Sequence, residues 1–100
     1  MNHNYKIKKL YIMSIINTIK ELKNLDKNVT HLTIGNYFNQ QIIISQNVTH
    51  LTFGDCFNQK IIIPQNVTHL TFGHRFNQQI MIPQNITHLI FGCQRHSVFF

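Results

Sequence analysis

Four histidines that recur at one interval are the residues of this sequence best placed to do chemistry together. They are His31, His50, His69 and His88, each inside a copy of NVTHLTFG or a close variant of it. Strands stacked in register would hold these imidazoles roughly 4.7–4.9 Å apart on one face. Such a row could share a metal ion, or could respond to pH because neighbouring imidazolium charges repel each other. No carboxylate or thiolate recurs beside the row, so we interpret it as an exposed ladder copied with its repeating unit, and we expect neither a metal nor a cofactor.

The histidines belong to a repeat with a strict period of 19 residues. Complete units span residues 28–46, 47–65 and 66–84, and a partial unit spans residues 85–92. A period near 20 residues is typical of solenoids, in which each unit forms one coil and buries its apolar side against its neighbours. The abundant β-branched Ile and the absence of Ala favour β structure over helix. We therefore predict a mainly β solenoid of 19-residue coils.

Alternation along the segment THLTF assigns residues to the inside or the outside of each coil. Leu51 and Phe53 share one side of the strand and must face the core, whereas His50 and Thr52 share the other side. Gly54 then ends the strand, either by adopting a positive φ or by leaving room for a tight corner. The expected core consists of Leu32, Ile34, Phe38, Leu51, Phe53, Phe57, Leu70, Phe72 and Phe76. The outward residues form the candidate interaction face, termed the His/Thr face, which consists of His31, Thr33, His50, Thr52, His69, Thr71 and His88.

A second row is apolar and consists of Ile43, Ile62 and Met81. If the alternation of the segment IIIP places Ile61 and Ile63 inside, this row faces outward. An exposed apolar row usually marks a contact surface or a risk of aggregation. The opposite alternation would bury the row, and the sequence leaves both arrangements open.

The two ends of the chain depart from the repeat. Residues 1–27 place isoleucines at helical spacing, which predicts an amphipathic α-helix that caps the first coil. This segment carries six lysines against two acidic residues, so attachment to a membrane surface or to nucleic acid is an alternative role for it. Residues 93–100 lose the repeat pattern and are expected to form an irregular tail, which leaves the last coil able to self-associate.

Other classes of function find little support in the sequence. The three acidic residues do not recur together, no nucleophile elbow or phosphate-binding loop is present, and no small-molecule substrate is evident, so we do not expect an enzyme. Lys and Arg do not recur along the repeats with aromatic residues between them, as a nucleic-acid face would require. Cys56 and Cys93 occupy different positions of their units and form no disulfide framework, so we expect an intracellular protein that is not secreted.

The segments THLTFG, FNQ and IIIPQ resemble the FNIP repeat, which occurs in amoebae and in large viruses that infect them. The resemblance covers residues 28–92, and the family's Phe-Asn step is matched by Phe38-Asn39, Phe57-Asn58 and Phe76-Asn77. It implies a leucine-rich-repeat-like solenoid with parallel strands and, for a viral protein, a location in the host cytoplasm. Two departures are that Gln-Gln or Gln-Lys replaces the family's Ile-Pro and that Ser45 replaces the later Pro. Residues 1–27 are too short for the F-box of some related proteins, so an adaptor role is not implied.

These observations favour a non-catalytic module that binds a protein partner through the His/Thr face. One alternative is a truncated or decaying member of a repeat family without a selected function. The other is association with a membrane or nucleic acid through the basic N-terminal segment.

Overall fold

A computed structural model describes residues 13–92 of the chain as a stack of coils along one parallel β-sheet. The elements are β1 (Met13–Ile16), α1 (Ile19–Lys23), β2 (His31–Ile34), β3 (His50–Phe53), β4 (His69–Phe72) and β5 (His88–Phe91). The strands follow one another in the order β1-β2-β3-β4-β5, and every neighbouring pair is parallel. From β2 onward each residue pairs with the residue 19 positions further along, as His31 does with His50. The predicted parallel solenoid of 19-residue coils is confirmed.

The core lies behind the sheet, where strand residues alternate between buried and half-exposed positions. Strands β2, β3 and β4 show the same alternation, in which the second and fourth residues are buried. All nine residues expected in the core are buried, none being more than 3% exposed. Phenylalanine rings stack within a coil, with centroids 4.3 Å apart between Phe53 and Phe57, and between coils, with centroids 5.1 Å apart between Phe53 and Phe72.

The N-terminal segment corrects one prediction. A helix is present, but it covers only Ile19–Lys23, and residues 13–16 form strand β1 instead of part of that helix. Ile16 is 3% exposed and Ile15 is 66% exposed, which is strand alternation, since a helix face would have buried both. The unpaired edge of β2 offers backbone hydrogen bonds that a short isolated helix cannot replace. Residues 1–12 and the predicted irregular tail, residues 93–100, lie outside the described part of the chain.

A capping box begins helix α1. The Thr18 hydroxyl accepts a hydrogen bond from the Glu21 amide at 3.1 Å, and the Glu21 carboxylate accepts one from the Thr18 amide at 3.0 Å. These bonds satisfy two amides that the helix leaves without partners. Ile19 and Leu22 pack against the core from this helix. The helix therefore covers part of the first coil, as the predicted cap would.

The glycines that end the strands are required by the close approach of successive coils. None of the four described glycines has a positive φ, so the first of the two predicted explanations is wrong. A Cβ atom at Gly54 would lie 2.6 Å from both the Gly35 carbonyl oxygen and the Asn36 Cα. Backbone of the preceding coil therefore occupies the space that any larger residue would need.

The structure decides the orientation of the apolar row. Ile43 is 91% exposed, Ile62 is 89% exposed and Met81 is 69% exposed. Ile63, next to Ile62, is 5% exposed, so the alternation that leaves the row outside is the one adopted. This part of the coil adds no strand to the five-stranded sheet.

Asparagine side chains connect each coil to the coil before it. The Asn66 side-chain amide donates to the Gln46 carbonyl oxygen at 2.9 Å, and Asn47 and Asn85 make the equivalent bonds. The Asn39 side-chain oxygen accepts a hydrogen bond from the Asn58 backbone amide at 2.9 Å. The Asn of the Phe-Asn step therefore bonds to the backbone of the neighbouring coil, as its amide chemistry allows.

Candidate interaction site

The structure brings the four recurring histidines together in one continuous stack on the outer face of the sheet. Ring centroids of successive histidines from His31 to His88 are 4.0–4.1 Å apart, and the rings lie within 12° of parallel. The imidazoles are thus closer than the strand spacing of about 4.8 Å. Thr33, Thr52 and Thr71 lie two residues further along the strands and are half-exposed on the same face. The structure therefore assembles all seven residues of the His/Thr face into one surface.

A threonine immediately before each histidine holds its ring in place. The Thr49 hydroxyl lies 2.9 Å from Nδ1 of His50, and it donates to the Thr30 carbonyl oxygen at 3.2 Å. A hydroxyl carries one proton, so both contacts are satisfied only if Nδ1 of His50 carries a proton and donates it. The same two contacts recur at Thr68 and at Thr87. In the neutral form of His50, His69 or His88, Nε2 is therefore the nitrogen that can accept a hydrogen bond.

Stacking affects the proton affinity of one histidine in particular. Burial, followed by the positive charges that His31, His69 and His88 would carry, holds the pKa of His50 below its ordinary value of 6.5. His50 has a stacked imidazole on each side, so its protonated form is desolvated and repelled from both directions. At neutral pH the imidazole of His50 is therefore uncharged.

The geometry of the stack does not favour a metal centre. Nearly parallel imidazoles direct their nitrogen lone pairs side by side, whereas an ion such as Zn²⁺ needs ligands that converge in a tetrahedron. Among residues 13–92, no group of three or more His, Cys, Asp and Glu residues could hold a metal ion. The arrangement instead offers a row of hydrogen-bond acceptors at fixed spacing.

A shallow groove runs along the side of the threonine row that faces away from the stacked histidines, and its volume is about 820 Å³. The threonines form one wall, and Asn36, Asp55 and His74 form part of the opposite wall. The exposed residues Ile15 and Ile90 occupy the threonine position in the first and last strands, where they line the ends of the groove. Polar side chains therefore contribute to the middle of the groove, and exposed isoleucines lie at its two ends.

Six residues that the sequence prediction missed lie beside this groove, in the turns that follow the strands. We term them the turn row, which consists of Asn36, Tyr37, Asp55, Cys56, His74 and Arg75. They line a second depression of about 270 Å³. They share no residue type from one coil to the next, so a search for recurring residues passes over them. Comparing the units for their differences would have found them.

Comparison with protein families decides the classification of the chain. The model of the FNIP repeat matches residues 20–56 and 57–94. The chain belongs to the FNIP repeat family. Each match covers about two coils, so the FNIP repeat corresponds to a pair of the 19-residue units described above.

A solved structure supports the same fold for this FNIP repeat chain. The crystal structure of CroV588, a giant-virus protein described as a novel circular LRR protein, is similar with a TM-score of 0.60 and 47% sequence identity. The similarity covers 65% of this chain but only 11% of CroV588. The FNIP coils thus have the leucine-rich-repeat-like architecture, and this chain corresponds to a small part of that larger protein. No curated protein matches the sequence.

Within the described part of this FNIP repeat chain, no helix is both long enough and apolar enough to cross a membrane. The helix that the basic N-terminal segment contributes there is α1, five residues in length. Its lysines Lys20 and Lys23 are exposed.

Proposed function

We propose that the protein is a non-catalytic module that binds a protein partner through the His/Thr face. The observation that carries this proposal is the order of that face. Four imidazoles stack at 4.0–4.1 Å, and each is held by a threonine hydroxyl. Side chains already fixed in one conformation lose little entropy on binding, so such a face can contribute more of its contact energy to affinity.

The chemistry of the face favours binding over catalysis. Its only titratable side chain is imidazole, and Nδ1 of each imidazole contacts a threonine hydroxyl. General acid–base catalysis needs a second group that orients the imidazole and a reacting group beside it. The face repeats one residue type at constant spacing instead, which suits a partner that crosses several coils.

Alanine substitution of four residues of the face tests the proposal. The variant replaces His50, Thr52, His69 and Thr71, and its control replaces Lys60 and Gln79, which are exposed elsewhere on the coils. Tagged chains are cross-linked in the native cell, and the recovered proteins are compared by mass spectrometry. We expect the face variant to lose partners that both the wild type and the control retain.

Two other results of this experiment would have a different meaning. Partners recovered equally with the face variant would contradict binding through this face. A wild-type chain that is expressed and recovers no partner, or that has no detectable product, would support the alternative of a repeat without selected function. Circular dichroism of each purified variant shows whether its coils remain folded.

A further inference from the structure

Differences among the repeat units are concentrated at two of their 19 positions. These positions carry Asn36 and Tyr37 in the first unit, Asp55 and Cys56 in the second, and His74 and Arg75 in the third. No other position has a different residue in each of the three complete units. The partial fourth unit adds further residue types, Cys93 and Gln94. These two positions are therefore the ones at which all four units carry different residues.

The structure shows why the coil itself tolerates this variation. Each pair occupies a tight turn directly after a strand, closed by a hydrogen bond such as that from the Phe38 amide to the Gly35 carbonyl oxygen at 3.2 Å. Successive turns are joined through backbone atoms, as in the bond of 2.9 Å from the Cys56 amide to the Asn36 carbonyl oxygen. Side-chain bonds between the turns are longer, 3.4 Å from the Asp55 amide to Asn36 Oδ1 and from the His74 amide to Asp55 Oδ1. The shorter backbone bonds are therefore the main link that holds the turns in register.

Exposure alone does not account for the variation. Gln46, Gln65 and Gln84 occupy one equivalent position, are all exposed, and are identical. The invariant Asn at the start of each unit is also exposed, and it is needed for hydrogen bonds between coils. In the turn row, by contrast, the residues of successive coils differ from one another in charge and size. The turn row is therefore the part of the coil where each of the three complete units carries a different residue, whereas other exposed positions are identical in at least two units.

The side chains of the turn row are suited to recognition. Tyr37 is 91% exposed, and Asp55, His74 and Arg75 are also exposed. Within residues 13–92, the Arg75 guanidinium forms no ion pair or hydrogen bond, and the Asp55 carboxylate accepts only a long bond of 3.4 Å from the His74 amide. Tyr and Arg are, with Trp, the residue types most enriched among those that dominate binding at interfaces. An exposed guanidinium can also bind a carboxylate in a bidentate manner.

The turn row is continuous with the His/Thr face. Asn36, Asp55 and His74 line the same groove as the threonine row. A partner lying on the His/Thr face would therefore reach the turn row without leaving the surface.

We propose that the turn row determines which protein the module binds, and that the His/Thr face supplies contacts common to all coils. The matching partner is a peptide segment or loop that places a basic group opposite Asp55 and an acidic group opposite Arg75, one coil further along. Tyr37 contacts an apolar or planar group of the partner at the other end of the row. This inference rests on the proposed function, because it assigns the source of specificity within that binding surface.

Selection from a library of random dodecapeptides displayed on phage tests this inference with the full chain as bait. Peptides selected by the wild type are expected to carry one acidic and one basic residue. The synthetic peptide that binds best should lose about tenfold or more in affinity for Arg75→Glu and for Asp55→Lys, since like charges that face each other across an interface cost roughly 1.4 kcal/mol or more. Reversing the corresponding charge of the peptide should restore binding to each variant. Lys60→Glu, a charge reversal at an exposed position outside the turn row, should leave the affinity unchanged.

The outcomes separate this inference from the proposed function. Peptides that bind both turn variants as well as the wild type, but lose binding to the alanine variant of the His/Thr face, would overturn the inference and leave the proposed function standing. Peptides that bind all of these variants equally would contradict both. A library that yields no binding peptide would overturn the assignment of a peptide segment as partner. Equal thermal unfolding temperatures for the wild type and the turn variants show that a change in affinity does not come from unfolding.

Discussion

At the residue scale, the threonine–histidine pair is the smallest unit of the candidate site. The hydroxyl of Thr49 both donates to the Thr30 carbonyl oxygen and contacts Nδ1 of His50. It therefore connects two coils and at the same time selects the tautomer of the ring. An isolated THLTF segment would lack the first of these contacts, because the acceptor belongs to the preceding coil.

Replacing the hydroxyl of Thr49 tests this pair. We expect Thr49→Val, which keeps the shape of the side chain, to lower the free energy of unfolding by about 1 kcal/mol, a typical value for one hydrogen bond. The substitution should also reduce the population of neutral His50 protonated on Nδ1, as measured by ¹⁵N NMR of the imidazole. Thr52→Val is the matched control, since its hydroxyl bonds to no residue within the described range 13–92. Unchanged stability and tautomer in Thr49→Val would show that the hydroxyl does not hold the ring.

Stability should fall on acidification because the pKa of His50 is lowered in the folded state. The unfolded chain, in which this pKa is near 6.5, then binds more protons than the folded chain as the pH falls. The contribution of His50 to stability is present above about pH 6.5 and is lost as the pH falls through the lower folded-state value. Denaturant unfolding at a series of pH values measures this loss. His50→Gln should reduce it, whereas His74→Gln, outside the stack, should not reduce it to the same extent.

At the scale of elements, the first strand is where local pattern and tertiary structure disagree. Ile12, Ile15, Ile16 and Ile19 have helical spacing, yet residues 13–16 pair with β2. Ile16 lies beside Ile34 in the buried row of the sheet, and Ile15 lies beside Thr33 on the outer face. A helix would have placed both isoleucines against the core.

Two alanine substitutions distinguish the strand from the helix. We expect Ile16→Ala to lower the free energy of unfolding by about 2–5 kcal/mol, as for other buried aliphatic side chains. Ile15→Ala should change it by roughly 0.5 kcal/mol or less, because the side chain is mostly exposed. Denaturant unfolding measures both values. Similar losses in the two variants would indicate a helix.

The close contact of coils at the strand ends leads to a further prediction. Gly54→Ala would bring a Cβ atom against backbone of the preceding coil, at 2.6 Å from two of its atoms. Since backbone cannot move aside as a flexible side chain can, we expect a loss of about 1–3 kcal/mol in thermal or denaturant unfolding. Gly92→Ala is the control, because its nearest such contact is longer, at 2.9 Å, and Gly92 itself is exposed. A larger loss at Gly92 than at Gly54 would contradict this explanation.

At the scale of the whole molecule, the solenoid has the polar His/Thr face and a separate apolar row. Ile43, Ile62 and Met81 remain exposed although they are large and apolar. Ile61 and Ile63 beside them supply the buried contacts. The row therefore contributes little to folding and gives the molecule a surface that favours association in water.

Charged substitutions in the apolar row should change association without changing stability. We expect the double variant Ile62→Lys with Met81→Lys to self-associate less than the wild type in sedimentation velocity at the same concentration. Each substitution should change the free energy of unfolding by about 0.5 kcal/mol or less, as is usual at exposed positions. Equal association of the two proteins would show that the row is not a contact surface. A large loss of stability would show that the row is packed and not exposed.

Much of the architecture could be predicted because the same pattern of apolar and polar residues recurs in each unit. Leu51 and Phe53 alternate with His50 and Thr52 in the same way in every unit, so one assignment of faces serves the whole array. The turn row was missed because a repeat is recognised by the residues that its units share, and the residues of the turn row differ from unit to unit. Strand β1 was missed because its pairing depends on an edge provided by residues 18 positions away.

The sequence by itself determined the 19-residue period, the buried residues of each coil and the surface on which the histidines lie. These follow from local alternation and from the need to bury apolar side chains, which act the same way in each unit. Only the tertiary structure decided that the imidazoles stack at 4.0–4.1 Å and that the threonine hydroxyls contact Nδ1 of the histidines. It also placed the turn row beside the groove that the threonines of the His/Thr face line. Those properties depend on distances between atoms of neighbouring coils. The stacking of the coils sets these distances, so they cannot be read from any single segment of the chain.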